Sequence, residues 1–171
     1  LTFLKTVKIA PKNVQTNYLA SIKIIMWCEK NGCKFVFLSS SAVYGNRNNK
    51  ISLKESDPLK PETIYGINKL ALEKFIQKYS VYRNFNWLIF RLFATYGPGL
   101  KKKLFWDLHQ KYQKSNWVEL FGTGEETRDF IFIDDLVKAL ELVMVNSSFE
   151  NDIINISSGY STKIKNVEKV F

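Results

Sequence analysis

Two side chains that can move protons stand four residues apart in the segment YGINK. If this segment is helical, Tyr65 and Lys69 lie on the same face of the helix. A free phenol has a pKa of about 10 and is a poor base at neutral pH, but an ammonium group within about 4–6 Å favours the phenolate. The pair can therefore serve acid–base chemistry, although helices also produce this spacing by chance.

A run of serines closes the segment FVFLSSSAVYG and adds a hydroxyl to this pair. A serine beside the phenol would bind the substrate oxygen that gains or loses the proton, while the tyrosine acts as general base or acid. Such a trio suits oxidation or reduction of a carbinol, with hydride passing to a nicotinamide. A serine-rich strand exit is also ordinary loop chemistry, so the argument depends on the joint occurrence of the motifs.

The surrounding pattern predicts an α/β fold with an open parallel sheet, because helices alternate with short strands that read as buried. Predicted helices are NYLASIKIIMWCEKNG, ETIYGINKLALEKFIQKYSVY, KKKLFWDLHQKYQK, IFIDDLVKALELVMVN and STKIKNVEKVF. Predicted strands are KFVFLSS, NWLIFRLFATYGPG, WVELFG and DIINISSG, and TGEETRDF is predicted to be a loop. Capping signals add Gly32 as a helix C-cap, Asp134 or Asp135 as one N-cap, and Ser161 or Thr162 as another.

Parallel sheets of this kind bind ligands at the carboxyl ends of their strands. The serine run ends one strand and residues 93–95 end the next, so both fall on the same edge of the sheet. The helix that carries Tyr65 follows the loop that leaves the serine strand, and its first turn can return to that edge. We therefore expect Ser40, Tyr65 and Lys69 to converge.

Composition excludes few classes of protein. The formal charge is +9, from 25 basic and 16 acidic residues, which suits either a solvated surface or an anionic ligand. The lysines are dispersed, and neither an RNA-binding signature nor a metal-ligand spacing is visible, so we expect no nucleic-acid partner and no metal. Cys28 and Cys33 are expected to be free thiols in a reducing cytoplasm, and no apolar run is long enough for a membrane span.

Four segments together resemble the extended short-chain dehydrogenase/reductases, in particular the nucleotide-sugar epimerases and dehydratases. These are SSSAVYG, YGINK, RLFATYGPG and GTGEETRDFIFIDDL. The resemblance implies a Rossmann-type doubly wound sheet, NAD as cofactor with NADP also possible, and a nucleotide-diphosphate sugar as substrate. It also implies a homodimer of the full-length protein.

Matched to the family, Ser40, Tyr65 and Lys69 occupy the catalytic positions, and all three also contact the cofactor. The resemblance further implies cofactor contacts for Asn17 and Phe93, and substrate contacts for two more residues, Ser41 and Arg128. Each peripheral position has a plain alternative. Asn17 can instead be a helix N-cap, Phe93 a core residue, and Arg128 a surface partner of Glu125 or Asp129.

The chain departs from the family pattern at three places. No glycine-rich phosphate loop is present, so we expect this sequence to be a piece that begins after that loop, and by itself it is expected to be inactive. Ala42 replaces the acid that dehydratases carry, which disfavours elimination of water. Ala94 replaces an Asn that contacts substrate phosphate in the family, which leaves the identity of the sugar open.

These features favour a nucleotide-sugar epimerase, with a reductase or synthase and a non-catalytic nucleotide-binding relative as alternatives. By the same resemblance, residues 1–97 are expected to be the C-terminal half of the dinucleotide-binding domain and 98–127 a substrate-binding segment. Residues 128–157 would return to the Rossmann sheet, and 158–171 would begin a C-terminal substrate region.

Overall fold

The computed structural model describes residues 14–46, 52–114, 122–146 and 150–170. These residues form two compact units. The first unit comprises the described parts of Leu1–Leu92 and Asn146–Asn155, and the second unit those of Phe93–Val145 and Ile156–Phe171. This partition follows packing, whereas the boundaries expected from the sequence follow function and stay a prediction.

Helices and strands alternate along most of the chain, which confirms the predicted α/β class. The helices are α1 (Ala20–Lys30), preceded by a π-helical turn (Val14–Leu19), α2 (Ile64–Tyr82), α3 (Lys103–Tyr112) and α4 (Ile133–Val145). The strands are β1 (Phe35–Ser40), β2 (Trp87–Leu92), β3 (Ala94–Tyr96), β4 (Thr127–Phe132), β5 (Asp152–Ile156) and β6 (Ser161–Lys163). Two 3₁₀ segments, Ser41–Tyr44 and Ile164–Val170, follow β1 and β6.

The first sheet has the strand order β1–β2–β5. Strands β1 and β2 are parallel and in register, from Phe35 opposite Trp87 to Ser40 opposite Leu92. Nearly every residue of β2 is buried, as the almost wholly apolar sequence WLIFRL predicts for a central parallel strand. The carboxyl ends of the two strands therefore finish at the same level, as the sequence predicted.

The second sheet has the order β3–β4–β6, in which β3 and β4 are parallel and β4 and β6 antiparallel. Strand β6 was not predicted, because its residues were expected to open a helix. Ser161 and Thr162, predicted to cap a helix, instead pair with Asp129 and Arg128 of β4. The short polar run before residue 164 satisfies its backbone groups in this ladder, and only then does the chain turn into a 3₁₀ segment.

The core of the first unit lies between the sheet and helices α1 and α2. Its buried members include Ile25 of α1, Phe37 of β1, Leu72 and Ile76 of α2, and Ile89 of β2. Burial of one such side chain stabilises the fold by about 1.5–3 kcal/mol. This packing fixes the orientation of α2, the helix that carries Tyr65 and Lys69.

Several element boundaries differ from the prediction. The strand predicted over NWLIFRLFATYGPG is interrupted at Phe93, so that β2 belongs to one sheet and β3 to the other. The predicted loop TGEETRDF becomes part of β4 from Thr127 onward, because pairing with β3 and β6 outweighs its polar composition. The strand predicted over WVELFG lies almost wholly outside the described residues.

Helix ends follow the local signals in part. Gly32 lies just beyond α1 with a φ of 64°, in the left-handed conformation expected after a helix. Helix α4 begins at Ile133, so Asp134 and Asp135 lie in its first turn and neither is its N-cap. Carboxylates in that turn still interact favourably with the helix dipole.

Candidate active site

Ser39 and Ser40, at the end of β1, make different hydrogen bonds. Ser39 is 2% exposed, and its hydroxyl donates a hydrogen bond to the carboxylate of Glu73. Ser40 is half-buried, and its Oγ accepts a hydrogen bond of 3.2 Å from the backbone N–H of Ala42. Since this bond uses Ser40 only as an acceptor, its hydroxyl proton remains available to a ligand. Of these two serines, Ser40 is therefore the one whose hydroxyl is placed to meet a ligand, and its catalytic role stays a prediction.

Helix α2 begins directly beside the turn that follows Ser40. Thr63 caps the helix, its Oγ1 accepting a bond of 3.0 Å from the N–H of Gly66. A Cβ added at Gly66 would lie 2.6 Å from the carbonyl oxygen of Ala42. Only glycine permits this approach, which places the first turn of α2, and with it Tyr65, against the segment that contains Ser40.

The Lys69 side chain connects helix α2 to the end of strand β1. Its Nζ donates a hydrogen bond of 2.7 Å to the carbonyl oxygen of Leu38 and lies 5.7 Å from the centre of the Tyr65 ring. The same Nζ lies 4.7 Å from the centre of the Phe37 ring. Burial lowers the pKa of the Lys69 ammonium, and the Glu73 carboxylate opposes that shift. One bond to Leu38 leaves two further N–H groups for a ligand.

A buried ion pair lies beneath these groups. Arg91 of β2 and Glu73 of α2 are 2% and 0% exposed, and their closest approach is 2.8 Å, between Nη2 and Oε2. Arg91 Nε lies 3.2 Å from both carboxylate oxygens of Glu73. Burial alone lowers the pKa of Arg91, but the bonds to Glu73 and Tyr44 outweigh it, and the net shift is upward.

The pair also holds the turn and the loop that lead from β1 to α2. Arg91 Nη1 donates bonds of 2.9 Å to the Tyr44 hydroxyl and 3.0 Å to the carbonyl oxygen of Glu55. The Tyr44 hydroxyl donates in turn to Asn155 Oδ1, at 2.7 Å. The buried guanidinium of Arg91 thus bonds to α2 through Glu73, to the turn after Ser40 through Tyr44, and to the backbone of Glu55.

Two further predicted residues lie in the first unit. Asn17 lies inside the π-helical turn, where its backbone oxygen accepts a bond of 2.9 Å from Ser21 Oγ. Helix α1 is preceded by Leu19, so the alternative of Asn17 as the N-cap is wrong. Ser41 is half-buried in the 3₁₀ turn after Ser40. Both positions remain predictions as ligand contacts.

The remaining candidates lie in the second unit. Phe93 is the residue that links β2 to β3 in the chain, and it is half-buried. Its N–H donates a hydrogen bond of 3.1 Å to the carbonyl oxygen of Ile156. Arg128 is exposed on β4, and the structure gives no salt bridge to it among the described residues. The acids expected to pair with Arg128 are engaged elsewhere, Glu125 by Lys163 and Asp129 by the 158–159 turn.

Sequence reasoning missed Glu73, Arg91, Tyr44 and the role of Gly66. A signal for the ion pair was present, because NWLIFRLF places one arginine inside an otherwise apolar buried strand. A charge in that position needs an opposite charge near it. Glu73, four residues beyond Lys69 on the same helical face, was the available acid.

Two negative observations apply to the ranges described above. Among those residues, no group of three or more His, Cys, Asp or Glu side chains is arranged to hold a metal ion. No helix of the described part of the chain is long and apolar enough to cross a membrane.

Known proteins resemble this chain in both sequence and fold. The family described as "NAD dependent epimerase/dehydratase family" matches residues 5–157. A Bacillus subtilis (strain 168) protein named "Uncharacterized UDP-glucose epimerase YtcB" is 29% identical over 153 residues, which cover 88% of this chain and 48% of that protein.

Solved structures agree. A UDP-N-acetylglucosamine 4-epimerase from Methanobrevibacter ruminantium M1, in complex with UDP-N-acetylmuramic acid, superposes with a TM-score of 0.86 at 26% identity, covering 97% of this chain and 55% of that one. A UDP-glucuronic acid 4-epimerase from Bacillus cereus, in complex with NAD, has a TM-score of 0.86 at 25% identity, covering 94% of this chain and 52% of that one.

The chain thus spans about half the length of the relatives it matches. The match nevertheless extends over most of the chain itself, and it includes the segments that hold Ser40, Tyr65 and Lys69. The chain belongs to the NAD-dependent epimerase/dehydratase family.

Proposed function

We propose that the full-length protein containing this sequence is an NAD-dependent epimerase of a nucleotide-diphosphate sugar. The observation that carries the proposal is the packing of α2 on the end of β1. Gly66 lies against Ala42, and Lys69 bonds the carbonyl oxygen of Leu38, which supports a shared site for the Tyr65 phenol, the Lys69 ammonium and the Ser40 hydroxyl. Relatives named as UDP-sugar epimerases support the same reading.

In this proposal Tyr65 takes the proton from a sugar hydroxyl and returns it after the sugar has turned over. Ser40 donates a hydrogen bond to the same substrate oxygen and keeps its proton, and Lys69 places a positive charge beside the phenol. The hydride acceptor and donor of this chemistry is NAD when it is bound. The missing acid at Ala42 is the feature that favours epimerisation over loss of water.

The residues present fit the nicotinamide end of that cofactor. Lys69 retains free N–H groups for a ribose hydroxyl, and the ring of Tyr65 is 43% exposed beside it. Asn17 and Phe93 are proposed as further cofactor contacts. This sequence contains no glycine-rich loop for the diphosphate end of the cofactor.

For the substrate, we assign the diphosphate to Arg128. Its exposed guanidinium has no salt bridge within the described part of the chain, and a guanidinium suits bidentate recognition of phosphate. Ser41 is proposed as a substrate contact, 98–127 as a substrate-binding segment, and 158–171 as the start of a C-terminal substrate region. A homodimer of the full-length protein is part of the proposal, and sedimentation velocity tests it.

The test is incubation of the full-length protein and NAD with a panel of UDP-hexoses, with products separated by chromatography. Interconversion of C4 epimers without net change in NADH is the expected result. Consumption of NADPH with a keto sugar would replace the proposal by a reductase. Tight nucleotide binding without any turnover would replace it by a non-catalytic relative.

A further inference from the structure

The buried pair Glu73–Arg91 contacts neither Ser40 nor Tyr65 directly, yet it holds the segments on both sides of them. Ser39 and Arg91 are register partners in the parallel pair β1–β2. The Glu73 carboxylate accepts from both, and so bridges the two strand ends from the helix side.

The spacing of three residues along α2 links the Glu73 carboxylate to the position of Tyr65. Tyr65, Lys69 and Glu73 follow one another at intervals of four residues, on one face of the helix. Lys69 bonds the carbonyl oxygen of Leu38 and Glu73 bonds the hydroxyl of Ser39, so two successive turns are fastened to two successive residues of β1. Ser40 is the next residue of that strand. Any slip of the helix along the strand would break both contacts and move Tyr65 relative to Ser40.

Arg91, on strand β2, bonds to two further segments near Ser40. Through Tyr44 it holds the 3₁₀ turn that follows Ser40, and through the carbonyl oxygen of Glu55 it holds the loop that leads toward α2. A hydrophobic pair would fill the same space without these directed bonds.

We propose that Glu73 and Arg91 are positioning residues that set the register of Tyr65 against Ser40. The inference rests on the proposed function for its kinetic test, and its structural test is independent of it. General acid–base catalysis depends on hydrogen-bond reach, so a shift of about 1 Å between these groups costs on the order of 100-fold in rate.

The primary variant is Glu73→Gln in the full-length protein, which keeps the shape of the side chain and removes its charge. The matched control is Glu29→Gln. Glu29 also joins α2 to a neighbour, through Tyr79 at 3.2 Å and Arg83 at 4.0 Å, but at the end of the helix remote in sequence from Tyr65. We expect kcat to fall about 10- to 100-fold for Glu73→Gln with KM changed less than about threefold, and neither to change in the control.

The pH profile separates this role from general stabilisation. Lys69 is faced by Tyr65 and Glu73 from its own helix and by uncharged groups of β1, while Arg91 neutralises Glu73 from β2. Burial lowers the pKa of the Lys69 ammonium, whereas the Glu73 carboxylate raises it. Loss of the Glu73 charge is therefore expected to lower the pKa of Lys69 further. The alkaline limb of kcat is expected to move to lower pH in Glu73→Gln and to stay in place in Glu29→Gln.

Two outcomes overturn the proposal. One is a folded Glu73→Gln protein, with normal near-ultraviolet circular dichroism, whose kcat and pH profile match the wild type. If that variant does not fold, Glu73→Asp keeps the charge but shortens its reach, and unchanged kcat in Glu73→Asp overturns the proposal equally.

A crystal structure of Glu73→Gln gives a test that needs no turnover. The separation of Ser40 Oγ and Tyr65 Oη is expected to change in this variant and to stay unchanged in Glu29→Gln. If the wild-type protein converts no sugar, the proposed function fails while this comparison still decides the positioning role. An unchanged separation in Glu73→Gln contradicts it.

Discussion

The two units of the molecule use charge in opposite ways. In the first unit, Arg91 and Glu73 are almost fully buried and bonded to each other at 2.8 Å. In the second, Glu125 bonds Lys163 at 2.7 Å and also Lys165, with all three side chains substantially exposed. The buried pair, on α2 and β2, also bonds to β1, to the turn after Ser40 and to Glu55, whereas the exposed cluster joins the 122–126 loop to β6 and the residues after it.

The buried pair lies in the unit where the proposed catalytic residues need a fixed geometry. A buried ion pair adds little net stability over an apolar pair. Removing one partner, however, destabilises the protein strongly because it leaves an uncompensated buried charge, so the pair fixes one arrangement. An exposed pair is screened by water and salt and fixes little. The unit that holds Ser40, Tyr65 and Lys69 is the one with the buried pair.

The largest effect on this comparison is expected from Arg91→Met. The variant leaves the Glu73 carboxylate buried without its partner, which costs about 3–5 kcal/mol of unfolding free energy. Urea denaturation of the full-length protein measures the loss. The matched change in the second unit, Lys163→Met, is expected to be far milder, and equal losses would remove the distinction between the two units.

Gly66→Ala is expected to have the next largest effect. Alanine normally stabilises a helix over glycine by about 1 kcal/mol. Here the added Cβ meets the carbonyl oxygen of Ala42 at 2.6 Å and Pro61 Cβ at 3.0 Å, so we expect a loss of about 1–3 kcal/mol instead.

The reverse change at an exposed site of the same helix, Ala71→Gly, reports helix propensity without a clash. It should cost about 1 kcal/mol by thermal or urea denaturation. A Gly66→Ala protein more stable than the wild type would show that α2 does not press against the turn after Ser40.

The smallest effect is expected at Glu125. Bonds from Lys163 and Lys165 lower the pKa of Glu125 to about 2, below its ordinary value of 4.5. A carboxyl with a lowered pKa contributes stability above its unfolded pKa and loses that contribution as pH falls toward about 2. Glu125→Gln should therefore be slightly less stable than the wild type at pH 7, with the difference shrinking below about pH 4.5 and at high salt.

Melting temperatures of both proteins at several pH values measure this difference. A gap that is independent of pH and of salt would mean that Glu125 acts through packing and not through its charge.

Local patterns in the sequence were sufficient for much of the first unit. Helix α2, its Tyr65–Lys69 face and the strand end at Ser40 follow from periodicity, from a buried apolar run and from the rule that parallel strands end at one edge. These features depend on residues that are near in sequence, or on a rule that applies to every parallel sheet.

Features that depend on distant partners were not predicted. Arg91 and Glu73 are separated by 18 positions and Tyr44 and Asn155 by 111. The lone arginine of an apolar strand signals that a partner is needed, but no local pattern identifies which residue it is. The strand character of Thr127–Phe132 arises from pairing with β3 and β6, which its polar sequence does not indicate. The interruption between β2 and β3 at Phe93 was likewise not predicted, because the apolar run shows no sign that its two parts pair in different sheets.

The central claim is that Tyr65 acts as the acid–base group of a site shared with Ser40 and Lys69. The most direct measurement is kcat of full-length Tyr65→Phe with the best UDP-hexose, beside Tyr82→Phe at the other end of the same helix, where the side chain is 76% exposed. We predict a loss of about 100- to 10,000-fold for Tyr65→Phe and none for Tyr82→Phe. Equal activity of the two variants would contradict the account.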